Sequence, residues 1–254
     1  MDTLLAIEFK DVTKSYFISR MKYGTLTGDF GHILQLVFGR KEKTLQKEKL
    51  LALSKVNFDV KNGETLGIIG RNGSGKSTIL KLISKITYPA SGQINVNGRT
   101  GAFIELGAGL HPELTGRENI YLYGAILGMR KREINERYED ILKFSGIEKF
   151  IDTPIKHYSS GMYARLGFSV VAFMDPDILL IDEVLAVGDN NFQEKCLSKM
   201  HSFAKDGKTI IFVSHNLDAI ASICSKVMYI DHGKIVRIGK PKEMIDLYLK
   251  TGES

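Results

Sequence analysis

The sequence predicts an α/β fold built on a mainly parallel sheet covered by helices. Three observations carry that prediction. Between Thr65 and Ile86 an apolar run, Leu66 to Ile69, leads into a glycine-rich turn and then an amphipathic helix. A second apolar run, Ile178 to Ile181, ends on two acids, and a third, Ile210 to Val213, ends on Ser214 and His215. Short, wholly apolar strands separated by helical patterns are what βαβ crossovers require, because each strand is buried on both faces.

Taken in order, Ile7–Lys10 reads as an edge strand, and Asp11–Tyr16 leads into an insertion of about residues 18–49. The insertion holds an apolar run, Phe30–Gly39, followed by Arg40, Lys41, Lys43, Lys47 and Lys49. Two readings stand for it: a short amphipathic helix with a basic stripe lying against a membrane or membrane partner, or a solvated surface loop. Strand patterns return at Lys49–Leu53 and Val56–Val60, the second with clean alternation, and Asn62-Gly63 supplies a turn. After the loop helix, Pro89 and Ser91-Gly92 break the chain, and Gln93–Asn97 and Thr100–Glu105 read as strands. From Thr115 to Phe173 the period becomes helical, with Glu118–Leu127, Glu133–Phe144 and Met162–Phe173. We therefore expect one domain over residues 1–254 with a helical subdomain of about 107–174 inserted in it. Beyond lie strand Ile178–Asp182, helix Phe192–Ala204, strand Thr209–Ser214, helix Leu217–Cys224, two short strands around Asp231-His232-Gly233, and a helix Lys242–Leu249.

Composition narrows the function classes. With 254 residues and 43% hydrophobic content the chain can bury a sizeable core. A formal charge of +6 favours anionic partners, whether nucleotide, nucleic acid or the anionic face of a membrane. The two cysteines, Cys196 and Cys224, sit in apolar helical patterns, which points to a reducing compartment and simple packing. The first ten residues lack the basic start and apolar core of a signal peptide. No stretch approaches the roughly 18 apolar residues of a membrane span. A cytosolic protein, anchored only through a partner, is expected.

The chemistry is concentrated in a few motifs. Gly70-Arg71-Asn72-Gly73-Ser74-Gly75-Lys76-Ser77-Thr78 matches the phosphate-binding loop G-x-x-x-x-G-K-[ST], between the strand and the helix that this motif demands. Glycines let successive N–H groups converge on one centre, and the helix N-terminus adds partial positive charge. Lys76 is placed to pair the β- and γ-phosphate oxygens, and Ser77 to put its hydroxyl on Mg²⁺. The strand ending at Asp182 and Glu183 delivers both acids to a carboxyl edge, where ligands collect in such sheets. Asp182 suits the Mg²⁺ shell as a hard oxygen donor, and Glu183 suits orientation or deprotonation of an attacking water. Tyr158–Val170 opens an apolar helix with Ser159, Ser160 and Gly161, which alone is an ordinary helix start. His215, alone, is a satisfied structural residue as readily as a functional one.

Together and in this order, these motifs make the chain resemble the ATP-binding subunits of ABC transporters, over nearly its whole length from Tyr16 to the last strands. The resemblance implies a P-loop NTPase fold of the ABC ATPase type, with a mainly parallel core sheet, an antiparallel β subdomain and an inserted helical subdomain. It implies ATP and Mg²⁺ as ligands and a homodimer that sandwiches two ATPs head to tail. In that arrangement the segment resembling Ser159-Ser160-Gly161 caps the γ-phosphate held by the other chain. By the same resemblance Tyr16 stacks on adenine, Asp189 lies in the loop crossing the dimer seam, and His215 hydrogen-bonds the γ-phosphate and the attacking water.

Two departures stand out. The family's LSGGQ is Tyr158-Ser159-Ser160-Gly161-Met162 here, keeping one Ser and one Gly. Its glutamine, a Mg²⁺ contact, corresponds to Glu105 within IELGAGLHPELTGREN, where the extra negative charge is expected to weaken nucleotide affinity or slow turnover. These stretches, with IDEVLAVGD, resemble the subfamily that exports lipid-linked cell-surface polysaccharides of the O-antigen and teichoic acid type. The resemblance then implies an integral membrane subunit as partner, a location on the cytoplasmic face of the membrane, and a lipid-linked polysaccharide as cargo. Some members of the subfamily add a carbohydrate-binding domain after the ATPase, so a chain ending at Ser254 is not expected to read the glycan's end by itself. The alternatives are the ATPase of a drug, peptide or lipid exporter, and a soluble ABC-type ATPase acting on nucleic acid or ribosomes. A nucleic-acid partner is not expected, because the chain carries one cassette, no long coiled coil and no basic arm beyond the insertion.

Overall fold

A computed structural model of the chain describes residues 4–19, 47–103, 109–182 and 189–252. Its described strands form two sheets. In the smaller, β1 (Leu5–Ser19) lies between β2 (Lys47–Lys61) and β4 (Ser91–Val96), all antiparallel. The larger has the order β5-β6-β7-β3-β8-β9, with β3 (Thr65–Ile69), β5 (Thr100–Phe103), β6 (Ile178–Asp182), β7 (Thr209–Val213) and β8 (Lys226–Asp231) parallel. Its last strand, β9 (Lys234–Gly239), runs antiparallel at one edge.

Alternation along the central strands explains their wholly apolar sequences. Leu66 and Ile68 of β3, Ile178 and Leu180 of β6, Ile211 and Val213 of β7, and Met228 and Ile230 of β8 face a core shared with the three-stranded sheet. Helix α1 (Lys76–Ile83) supplies Ile79, Leu80, Leu82 and Ile83 to the same core. The intervening residues Leu179, Ile181, Ile210, Phe212, Val227 and Tyr229 face a second core. That core is closed by α5 (Asn190–Lys205), α6 (Leu217–Ile223) and α7 (Pro241–Gly252). Each fully buried aliphatic or aromatic side chain is worth about 1.5–3 kcal/mol of transfer free energy, so both faces of the sheet are held.

Between β5 and β6 the chain makes α2 (Gly116–Ile126), α3 (Lys131–Ser145) and α4 (Ser160–Ala172). They pack around Ile120, Ile134, Ile141 and Leu166. Phe168 of α4 ties them to the sheet, 4.7 Å from Phe103 of β5 and 5.8 Å from Phe192 of α5 between ring centroids.

Two expectations need correction. Ile7–Lys10 is no edge strand: β1 extends from Leu5 to Ser19 and is the middle strand of its sheet. The two strands expected at Lys49–Leu53 and Val56–Val60 are one, β2. The pairing shifts register near Asp11 and Lys55, both at positive φ (50° and 47°). Side chains take over the displaced backbone groups: the Asp11 N–H donates to Asn57 Oδ1 and the Lys55 N–H to Thr13 Oγ1. Polar residues that read as a break in the sequence therefore support a bulged, continuous strand. The insertion's expected ends are themselves paired, Ile18 opposite Glu48 and Ser19 opposite Lys47; residues 20–46 lie outside the described residues.

Candidate nucleotide site

The carboxyl ends of β3, β6 and β7 meet at one edge, because register sets Ile68 beside Val213 and Val213 beside Asp182. A cavity of about 280 Å³ opens there, lined by loop residues Asn72, Gly73 and Gly75, by Lys76, Ser77 and Thr78 of α1, and by Asp182 and His215. The other wall is Tyr16 of β1 with Leu50, Leu51 and Ala52 of β2.

The loop is built by close backbone approach. A Cβ on Gly70 would collide with the Ile230 carbonyl oxygen, and one on Gly75 would stand 2.7 Å from Leu53 Cδ2. The Gly233 N–H, from the turn between β8 and β9, donates to the Ser74 carbonyl, and the Ser54 N–H donates to the Gly233 carbonyl. Strand β2, the β8–β9 turn and the loop are thus stitched together. Lys76 is buried and its Nζ donates to the carbonyls of Gly70 (2.7 Å) and Arg71 (3.0 Å), folding the loop over its own ammonium. Gly75 caps α1 at φ 111° without a side-chain hydrogen bond, and the first turn carries no acid. The Ser74 hydroxyl is buried and has no hydrogen-bond partner among the described residues. A glycine cap, a buried lysine and no acid in that first turn fit an anionic phosphate.

Ser77 and Asp182 bring a hydroxyl and a carboxylate to the same cavity. Among the described residues no group of three or more His, Cys, Asp or Glu side chains forms a metal cage. That donor set fits Mg²⁺ shared with phosphate oxygens, since Mg²⁺ takes few protein ligands and keeps water or phosphate on the rest of its octahedron. Glu183 and Glu105 lie outside the described residues.

The remaining residues singled out in the sequence are placed elsewhere. Ser159, Ser160 and Gly161 do not line the cavity; they form the start of α4, with both serines exposed and Gly161 half-buried, and the Ser159 hydroxyl accepts from the Met162 N–H (3.2 Å). Tyr158 anchors that start, donating its hydroxyl to the Phe150 carbonyl (2.8 Å), and burial pushes its phenol up to about 12. Asp189 also stands off the cavity. It caps α5 by accepting from the Phe192 N–H (2.9 Å) and pairs with Arg165 of α4 (2.5 Å). The Phe192 N–H foremost, with Arg165 added, holds its carboxyl below the usual range. His215 lines the cavity, but the next residue, Asn216, is a structural cap for α6, accepting from the Ala219 N–H.

Sequence reasoning missed Leu50, Leu51 and Ala52. Their signal was cross-strand: Leu50 pairs with Tyr16, so a cavity wall containing one contains the other. Burial drives the thiols of Cys196 and Cys224 up to about 12, so both are inert packing groups. No helix among the described residues is long and apolar enough to cross a membrane.

A phosphate cradle between a buried parallel strand and its helix, with an acid from the end of β6 and a histidine just past β7 on one side of it, defines a P-loop nucleotide-binding protein. Solved structures share the fold. A dimeric ATP-binding cassette in a post-hydrolysis state bound to ADP and Pi superposes with a TM-score of 0.71 at 24% identity, covering 92% of this chain and 98% of that one. The ATP-binding subunit of an ABC transporter gives 0.73 at 22% identity, covering 97% and 93%. The ABC transporter family profile matches residues 53–186. This chain is 46% identical to the O-antigen export system ATP-binding protein RfbB of Klebsiella pneumoniae, over 95% of its own length and 96% of the relative's. It is equally similar to RfbB of Myxococcus xanthus, of which it spans 56%. It is 41% identical to the teichoic acids export ATP-binding protein TagH of Listeria innocua, of which it spans 70%. The chain belongs to the ABC transporter family of ATP-binding subunits.

Proposed function

We propose that the chain is the ATP-hydrolysing subunit that powers export of a lipid-linked cell-surface polysaccharide through a separate membrane subunit. It acts as a pair of chains on the cytoplasmic face of the cell membrane. The observation that carries the chemistry is the single cavity uniting Lys76, Ser77, Asp182 and His215 at the carboxyl edge of the sheet. Export of O-antigen and of teichoic acids by its relatives supports the cargo class.

In this reading the loop 70–75 and Lys76 bind the phosphates, and Tyr16 carries the adenine. Ser77 and Asp182 would hold Mg²⁺, with Glu105 as a further contact, and the ion would supply charge neutralisation for phosphoryl transfer. Glu183 follows Asp182 in sequence and takes the proton of the attacking water, while His215 hydrogen-bonds the γ-phosphate. A positioned base contributes about 10²–10⁴ in rate. Ser159, Ser160 and Gly161 stand off the cavity of their own chain, which agrees with their capping the γ-phosphate held by a second copy, across a seam that Asp189 approaches. The helical subdomain, about residues 107–174, passes closure and reopening to the membrane subunit.

Glu183→Gln tests the reading. ATP binding should persist, phosphate release should fall by about 10²-fold or more, and an ATP-bound pair should survive gel filtration. Wild-type turnover in that variant removes Glu183 from the mechanism. Copurification of a polytopic membrane protein without its own ATPase tests the partner. Steeply salt-dependent binding to nucleic acid would instead favour a soluble ATPase.

A further inference from the structure

We propose that Lys14 is a positioning residue for the nucleotide base: it fixes the Tyr16 ring from outside the cavity and thereby sets how firmly the base is held. The inference rests on Tyr16 being the base platform. Tyr16 lines the cavity and is 37% exposed, so its ring is available to a ligand. Lys14 does not line the cavity. Its ammonium lies 5.0 Å from the Tyr16 ring centroid and donates to Thr87 Oγ1 (2.5 Å) and to the Tyr88 carbonyl (2.7 Å).

Three consequences follow from that geometry. A cation against one face of the phenol ring leaves the other face for an incoming base. It also draws π-density away from the ring, which favours stacking against an electron-rich purine. Finally, the donors to Thr87 and Tyr88 hold the ammonium, and through it the ring, in one place before ligand arrives, which lowers the ordering cost of binding. The Thr87 N–H in turn donates to the Lys81 carbonyl of α1, and the Ala90 N–H to the Thr13 carbonyl of β1. A single chain of contacts therefore runs from the phosphate-loop helix through Thr87 and Lys14 to Tyr16. Leu50, paired with Tyr16 across the strands and lining the same cavity, completes the wall on that side.

The test separates base from phosphate by titrating two ligands, ATP and inorganic tripolyphosphate, into Lys14→Met, Lys14→Arg and wild type with magnesium present. Lys14→Met should weaken ATP about three- to tenfold and leave tripolyphosphate affinity unchanged. In turnover the loss should fall on KM and spare kcat. Lys14→Arg should restore most of the loss, because a guanidinium also sits over a ring and donates. In a Tyr16→Ala background Lys14→Met should have no further effect on ATP. Equal loss of ATP and tripolyphosphate would mark Lys14 as a general structural residue and overturn the proposal, as would wild-type ATP binding by Lys14→Met. A further loss in the Tyr16→Ala background would do the same. If wild type binds tripolyphosphate as tightly as ATP, the base has no platform, and it is the assignment of Tyr16 that fails.

Discussion

Helices α1 and α2 dispose of their first N–H groups in opposite ways. At α2, Thr115 and Glu118 form a reciprocal capping box: the Thr115 hydroxyl accepts from the Glu118 N–H (3.2 Å) and the Glu118 carboxylate accepts from the Thr115 N–H (2.8 Å). The helix closes on itself, and an acid occupies its first turn. At α1 the cap is Gly75, which has no side chain to offer as an acceptor, no acid lies in the first turn, and buried Lys76 stands at the helix start. One N-terminus is capped by its own side chains, while the other has a glycine cap and a charge balance that suits an anion. The difference teaches that a helix start is a structural or a ligand-binding feature according to which partner its own chain withholds.

The largest effect that sharpens this contrast should come from Lys76→Ala, which removes the ammonium but keeps the α1 N–H groups. ATP affinity should fall by about 10- to 100-fold, the worth of a charge-assisted contact. Titration calorimetry checks it, and retained affinity would mean that the helix start alone holds the phosphates.

Next in size is a glycine pair. Gly75→Ala drives a Cβ to 2.7 Å from Leu53 Cδ2 and 2.8 Å from the Ala52 carbonyl, at φ 111°. A stability loss on the order of 1–3 kcal/mol is expected, seen as a lower Tm with weakened ATP binding. At Gly161 an added Cβ meets only Ser159 Oγ, at 3.9 Å. Gly161→Ala should therefore leave Tm within about 1–2 °C, as a surface change does, and depress phosphate release only where two chains pair. Equal thermal damage from both would erase the distinction between a tightly built loop and a roomy helix start.

The smallest effects belong to α2. Thr115→Ala should cost about 1 kcal/mol of stability while ATP affinity stays put; a fall in affinity would show that the α2 start is also part of the ligand site. Its pH dependence has a definite sign. The Thr115 N–H, foremost, lowers the Glu118 carboxyl below its ordinary value of 4.5. A group with a depressed native value stabilises the fold above its unfolded value and loses that contribution as pH falls through the native one. The Tm difference between wild type and Glu118→Ala should thus be constant from about pH 5 to 8 and shrink only below the ordinary Glu range.

The same contrast shows what was legible from residue order. Local patterns carried the α1 loop, because each of its parts lies within nine consecutive residues, Gly70 to Thr78, and glycine, lysine and serine there have narrow physical uses. The buried strands were legible for the same reason: β3, β6 and β7 are short, apolar and bounded. The helices of 116–172 were legible in kind, with starts missed by about two residues, since capping residues are polar and break the apolar period. Strands β1 and β2 were misjudged because Asp11, Ser54 and Lys55 look like a boundary. Only the partner strand supplies the Asn57 and Thr13 side chains that carry the chain through it.

Residue order by itself determined the phosphate loop, the acid and histidine at strand ends, and the parallel, doubly covered sheet, because these depend on neighbours a few residues apart. Tertiary structure decided the rest. It placed Leu50 opposite Tyr16 in the cavity wall, locked Gly233 onto the Ser74 carbonyl, and set Lys14 beside the ring of Tyr16 through Thr87 and Tyr88. It also kept Ser159 to Gly161 away from the cavity of their own chain. These relations join residues up to 159 positions apart, as with Ser74 and Gly233 across the loop and its supporting turn. Strand register and packing create them, and no local period encodes them.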